Sequence, residues 1–180
     1  MRTRRLFVAA MPPVEVARAL REALPASLPD AFKPIPPEQI HLTLQFIGNV
    51  GEKHLDAVIV SMTQALAGLG PQTITPRRIA TFPEKPPARL IAVVASCTPQ
   101  LREAQKRLAL RLARVAAKPG NDRFEPHFTL SRCSPPQPSL TLDLECTLPA
   151  FELSRICLFE SILSPTGSHY RLIHEVVLHI

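Results

Sequence analysis

The chain has 180 residues, with a 46% hydrophobic and a 20% charged share, proportions that exclude a disordered or fibrous protein and allow one sizeable core. Its net charge of +6 favours polyanionic partners without specifying one. No apolar run reaches the roughly 20 residues of a membrane-spanning helix, and no membrane partner is expected.

The basic start, Met1-Arg2-Thr3-Arg4-Arg5, is followed by an apolar stretch only from 6 to 11 before Pro12-Pro13. That is too short for a signal-peptide core, so a cytoplasmic location is expected. The run 6–11 itself reads as a buried strand. Val14, Ala17, Leu20 and Leu24 then recur at helical spacing over 13–24, with Pro13 suited to the first turn and Pro25 as the stop. A proline-rich connector around 34–37 leads into a strand predicted over 40–47. Leu55, Val58, Ile59, Met62, Leu66 and Leu69 mark the next helix, with Gly70-Pro71 as its predicted end.

Strand-like segments follow over 72–82 and 90–95. Leu101, Ala104, Leu108, Leu112 and Val115 define a third amphipathic helix, whose basic positions read as a solvated face. Strands are then predicted over 128–133, 140–144, 151–161 and 170–180. The four cysteines, Cys97, Cys133, Cys146 and Cys157, form no C-x-x-C pair and match no zinc spacing, so they read as reduced thiols.

One regularity organises these elements. Strand, helix, connector and a strand bearing His-x-Thr-Leu occur in that order twice, over 6–47 and 90–133. Phe7 precedes His41 by 34 residues, and Ile91 precedes His127 by 36. The repetition predicts an internal duplication, two lobes of one domain over 1–180 related by an approximate two-fold axis. Facing strands would then bring His41 and His127 together across a cleft.

Residues two apart on a strand share a face, so His41 projects with Thr43, and His127 with Thr129. Leu42, Leu44, Phe128 and Leu130 turn into the core. Two imidazoles and two hydroxyls in one space suit in-line attack on a phosphodiester. One neutral His takes a proton from water and one protonated His gives a proton to the leaving oxygen. The threonines can donate to non-bridging oxygens. No metal or other cofactor is required, and the residues alone do not say which histidine is the acid.

With its flanks, the pattern resembles the two-histidine phosphoesterase superfamily. It is most similar to the RNA 2′,3′-cyclic phosphodiesterases, also named 2′-5′ RNA ligases. The resemblance covers nearly the whole chain: Arg5-Leu6-Phe7-Val8-Ala9, then Pro36-Pro37-Glu38-Gln39-Ile40-His41-Leu42-Thr43-Leu44-Gln45-Phe46-Ile47-Gly48, then Pro126-His127-Phe128-Thr129-Leu130-Ser131-Arg132, and the late Ser161-Ile162-Leu163-Ser164-Pro165-Thr166-Gly167. It implies a bilobal α+β fold with antiparallel sheets lining a central cleft and helices outside. It also implies hydrolysis of RNA 2′,3′-cyclic phosphate ends to 2′-phosphomonoesters; the chain is expected to act as a monomer. His41 would be the proton donor and His127 the proton acceptor, with roles exchanged in 2′-5′ ligation. Ser131, where the family usually has a small residue such as Ala, and Ile162, where it has a polar or basic one, depart from the pattern.

Further candidates are weaker. Arg132 is a candidate phosphate ligand, although strand parity places it opposite His127 unless a bulge re-aims it. Phe7 and Tyr170 are candidates for stacking a base, against core and interface roles, and Ser161 for shaping the cleft. Lys33 and Arg89 are candidates for meeting RNA phosphates, against a default of solvated charges, and His54, His169, His174 and His179 are read as structural. Two alternatives stay open: a phosphodiesterase acting on 2′-5′ oligonucleotides or small nucleotide cyclic phosphates, and a non-catalytic RNA-binding module.

Overall fold

The computed structural model describes residues 2–115, 124–137, 139–164 and 167–179. Strand β1 (Thr3–Met11) leads into helix α1 (Val14–Glu22), and β2 (Phe32–Pro34) precedes a 3-10 turn at Pro37–Gln39. Strand β3 (Leu42–Gly51) and helix α2 (Leu55–Leu66) follow, then β4 (Gln72–Ile74), β5 (Pro76–Phe82) and β6 (Ala88–Ala95). Helix α3 (Pro99–Leu112) begins at Thr98, whose hydroxyl accepts the Leu101 amide at 3.1 Å, an N-cap that satisfies one of the free helix-end donors. Strands β7 (His127–Gln137), β8 (Asp143–Glu145), β9 (Phe151–Leu153), β10 (Arg155–Ser164) and β11 (Gly167–Val177) close the chain.

Every pairing among these strands is antiparallel. The main sheet runs β11-β10-β1-β3-β7-β6-β5-β8, with β2 also on β7, and β4 and β9 form a separate pair. The fold is α+β, with three α-helices among the described residues packed on an open sheet. Strands β3 and β7 meet at the middle through the pair Leu42 and Phe128. Helix α3 packs on β3 and α1 on β7, so each motif strand is covered by the helix from the other half of the chain. Leu20, Leu42, Leu108, Leu112, Phe128 and Leu130 share that core. Each such side chain contributes about 1.5–3 kcal/mol through burial.

Several sequence expectations shift, among them the single strand expected over 151–161, which is two strands because β9 pairs with β4 and β10 with β1. The α2 helix stops at Leu66, ahead of Gly70-Pro71, because Gly68 takes φ 74°, a conformation glycine adopts without penalty. The run 72–82 is two strands, because the chain leaves β4 and joins the main sheet as β5. Part of the proline-rich connector is β2, where Phe32 is buried and Lys33 and Pro34 face solvent.

Candidate active site

His41 and His127 are presented in the same way. His41 sits between the 3-10 turn and β3, and its Nδ1 lies 2.7 Å from the Gln39 carbonyl, two residues back. The Nδ1 of His127 lies 2.9 Å from the Glu125 carbonyl, again two residues back. A carbonyl only accepts, so each Nδ1 carries the hydrogen and each neutral ring offers Nε2 as its free, basic nitrogen. Because Leu42 pairs with Phe128 in antiparallel register, one step either way sets His41 opposite Thr129 and Thr43 opposite His127. The four polar side chains are partly exposed, whereas Leu42, Leu44, Phe128 and Leu130 are buried. Strand alternation works as predicted through this stretch.

Aromatic rings hold both imidazoles. Phe7 lies 5.1 Å from the His41 ring, and Tyr170 meets it edge-on at 5.3 Å. Phe82 stacks on His127 at 5.3 Å and 25°. The carbonyl that orients His127 belongs to Glu125, whose carboxylate reaches Arg78 at 3.6 Å. Arg78 also binds Glu84 and Asp143, tying that loop to the sheet.

Beyond the threonines, the alternation slips by one residue in both strands. On β3, Thr43 pairs with Ala9 but Gln45 pairs with Val8. On β7, Thr129 pairs with Ala92 but Ser131 pairs with Ile91. Each step adds one residue to the motif strand, a β-bulge. Leu44 and Gln45 are therefore buried in succession, as are Leu130 and Ser131. The next residue, Phe46 on β3 and Arg132 on β7, returns to the cleft face. Simple strand parity would have turned Arg132 away from His127, and the bulge re-aims it.

A cavity of about 340 Å³ lies against His41, lined among others by Phe7, Phe46, Arg132, Ser161 and Tyr170. The candidates Arg132, Phe7, Tyr170 and Ser161 thus converge on one space. Phe7 is 4% exposed and so forms a wall, stacked on Phe159 and in tilted contact with His41. Phe46, at 57% exposed, is the ring available to a ligand. Arg5 and Ser168 also line this cavity; sequence reasoning missed them, as it missed Phe46 and Phe82. Only the shared offset of five residues from each histidine pairs Phe46 with Arg132 in the sequence, and without the bulges both positions read as facing away. Pro165 and Thr166 of the closing motif lie outside the described residues.

Burial pushes the His41 imidazole down to about 4, against the raising effect of its bond to Gln39. The charges of Arg132 and His127 lower it further, and Arg132 lines the same cavity as His41. Among the described residues, no group of three or more His, Cys, Asp or Glu side chains could hold a metal. None of the described helices is long and apolar enough to cross a membrane.

Residues 10–161 match the family model of the 2′-5′ RNA ligase superfamily. An RNA 2′,3′-cyclic phosphodiesterase of Thermus thermophilus is 33% identical, over 97% of this chain and 90% of the relative. Another so named, from Aeropyrum pernix, is 29% identical over 81% and 85%. The crystal structure of TT0787 from Thermus thermophilus superposes with a TM-score of 0.82 at 28% identity, covering 97% of both chains. The E. coli LigT structure in complex with 3′-AMP shares the fold, with a TM-score of 0.81 at 20% identity over 99% of this chain and 100% of that one.

Proposed function

Since this chain belongs to the 2′-5′ RNA ligase superfamily and is a hydrolase of its cyclic phosphodiesterase branch, we propose that it opens RNA 2′,3′-cyclic phosphate ends to 2′-phosphomonoesters by paired-histidine catalysis. The observation that carries this reading is the matched presentation of two Nε2 atoms by backbone carbonyls, across one sheet seam.

In the proposed step, water attacks phosphorus in line with the 3′ oxygen. His127 takes the water proton at Nε2, the bond from phosphorus to O3′ breaks, and His41 delivers a proton to the departing O3′. The products are a 2′-phosphomonoester and a 3′-hydroxyl. Thr43 and Thr129 donate to the non-bridging oxygens as charge builds, where one well-placed donor is typically worth about 10²- to 10³-fold in kcat. Arg132 offsets the phosphate charge, Phe7 and Tyr170 fix the His41 ring, and Ser161 lines the cavity wall. A bound anion beside His41 offsets the burial and the Arg132 charge, and so raises its proton affinity. The same step with a 5′-hydroxyl attacking in place of water gives 2′-5′ ligation, with His127 still the base and His41 still the acid. The expected exchange of roles belongs to the reverse, in which O3′ attacks the 2′-5′ linkage and the 5′ oxygen leaves.

One observation favours a second assignment. In the free cleft His41 holds its proton only below about pH 4, which suits a base, with His127 then the donor. The two assignments differ in which alanine variant a better leaving group rescues.

The test of the reaction itself is turnover of an oligonucleotide ending in a 2′,3′-cyclic phosphate, in excess EDTA. The product phosphate is located by ³¹P NMR, beside His41→Ala and His127→Ala. Activity in wild type and a loss of about 10²-fold or more in each variant is expected. Variants that turn over at the wild-type rate would sink the mechanism.

A further inference from the structure

A second basic surface adjoins the catalytic cavity. On β2, Lys33 stands directly opposite Arg132 of β7, and on the other edge of β7 Leu90 of β6 stands opposite the same arginine. Arg89 is the next residue along β6. All three cations are exposed and line one shallow groove of about 910 Å³. Arg132 lines both this groove and the catalytic cavity, so the two spaces adjoin at its side chain.

This row differs from the arginines that anchor the sheet elsewhere. Arg4 binds Glu52 and Glu160, Arg78 binds three carboxylates, and Arg155 binds Glu175. Among the described residues, Lys33, Arg89 and Arg132 join no ion pair. Asp30 lines the same groove, yet it pairs with none of them. Like charges set directly opposite on neighbouring strands repel, and here no carboxylate among the described residues pairs with them. Such a row is matched by an anion from outside.

We infer that Lys33 and Arg89, together with Arg132, form a second phosphate subsite that takes the internucleotide phosphate next to the cyclic end. This rests on the RNA phosphodiesterase reading above. A 2′,3′-cyclic terminus has only one continuation, the chain on its 5′ side, and its next anion is the adjoining phosphodiester. The groove leading away from Arg132 supplies a cationic path for it. The enzyme therefore reads a chain and not a mononucleotide, and its preference lies in charges remote from the histidines.

The test compares a 2′,3′-cyclic mononucleotide with a trinucleotide of the same terminal base, on wild type and on the double variant Lys33→Gln, Arg89→Gln. Wild type is expected to show a kcat/KM at least tenfold higher for the trinucleotide. The double variant is expected to lose most of that advantage through KM, while mononucleotide turnover stays within twofold. Its slope of log affinity against log salt for the trinucleotide should flatten by about 0.7 for each phosphate that the variant no longer engages. Equal kcat/KM for the two substrates in wild type, or equal loss on both in the variant, would overturn the subsite.

Should wild type turn over neither substrate, the catalytic reading fails by itself. Binding of a 3′-phosphorylated trinucleotide, followed by fluorescence anisotropy, then decides the subsite. A several-fold weaker, less salt-dependent Kd in the variant supports it, and an unchanged Kd overturns it. Displacement by poly-glutamate as effectively as by unlabelled trinucleotide would show an unselective anion surface and also overturn it.

Discussion

Leu42 stands directly opposite Phe128 where β3 and β7 meet, and both side chains are fully buried. This pair sets the register that places each histidine across from the other motif's threonine. Truncating Phe128 to Ala should leave a cavity under both motifs and cost about 3–5 kcal/mol, measured by urea unfolding. The same variant should lose kcat at temperatures where it remains folded, because both imidazoles shift. Full kcat in a destabilised Phe128→Ala enzyme would show that the seam does not position the site.

His41 also makes a prediction about stability. Its native proton affinity is lowered to about 4, whereas in the unfolded chain it is near 6.5. The unfolded state therefore takes up the proton first as pH falls. The contribution is complete above about pH 6.5 and is lost progressively towards pH 4, by at most about 3 kcal/mol, since part of the ring meets solvent. Urea unfolding from pH 4 to 8 should show this loss in wild type and a smaller one in His41→Ala. Arg132→Ala should raise the His41 value, read by NMR titration of the ring, because a repelling charge is gone.

The two assignments of acid and base separate with a better leaving group. A cyclic phosphorothiolate with sulfur at the 3′ bridging position needs little protonation to depart. Whichever histidine is the donor, its Ala variant should recover much of its lost rate on this substrate, and the other should not. A loss of about 10²- to 10⁴-fold on the oxygen substrate is expected for each. Recovery by His41→Ala supports the donor role, recovery by His127→Ala the reverse, and recovery by neither counts against both.

Phe46 is large, apolar and mostly exposed at the cavity edge. Phe46→Ala should change stability little and should raise KM by roughly 5- to 100-fold, the range of losing one stacked base. Phe46→Tyr should keep most of the affinity, since a ring face remains. An unchanged KM in Phe46→Ala would remove this residue from the substrate site.

Ser131 is fully buried at the β7 bulge, and its hydroxyl has no hydrogen-bond partner among the described residues. Burying such a group costs about 1–3 kcal/mol, so Ser131→Ala should be neutral or raise stability by about 1 kcal/mol. Thermal unfolding measures this directly. A clear drop in Tm would mean that the hydroxyl is bonded in solution.

Much of this arrangement is determined by the sequence alone. The two His-x-Thr-Leu runs set polar and apolar residues alternately, and the two-residue period of a strand turns that spacing into a shared polar face. Hydrophobic spacing likewise marked all three helices, because a helix must bury one stripe. These are local effects, carried by neighbours in the chain.

What only the tertiary structure decided lies beyond Thr43 and Thr129. A bulge depends on how many residues the partner strand offers, and β1 and β6 are far from the motifs in sequence. For that reason Phe46 and Arg132 read as facing away, yet they reach the cleft. The charge on Lys33 was equally legible from the start, but its standing opposite Arg132 required β2 to pair with β7. The histidine pair was visible as two repeated words. Their shared orientation through Nδ1 and the cationic row beside them came from contacts between residues that the chain keeps far apart.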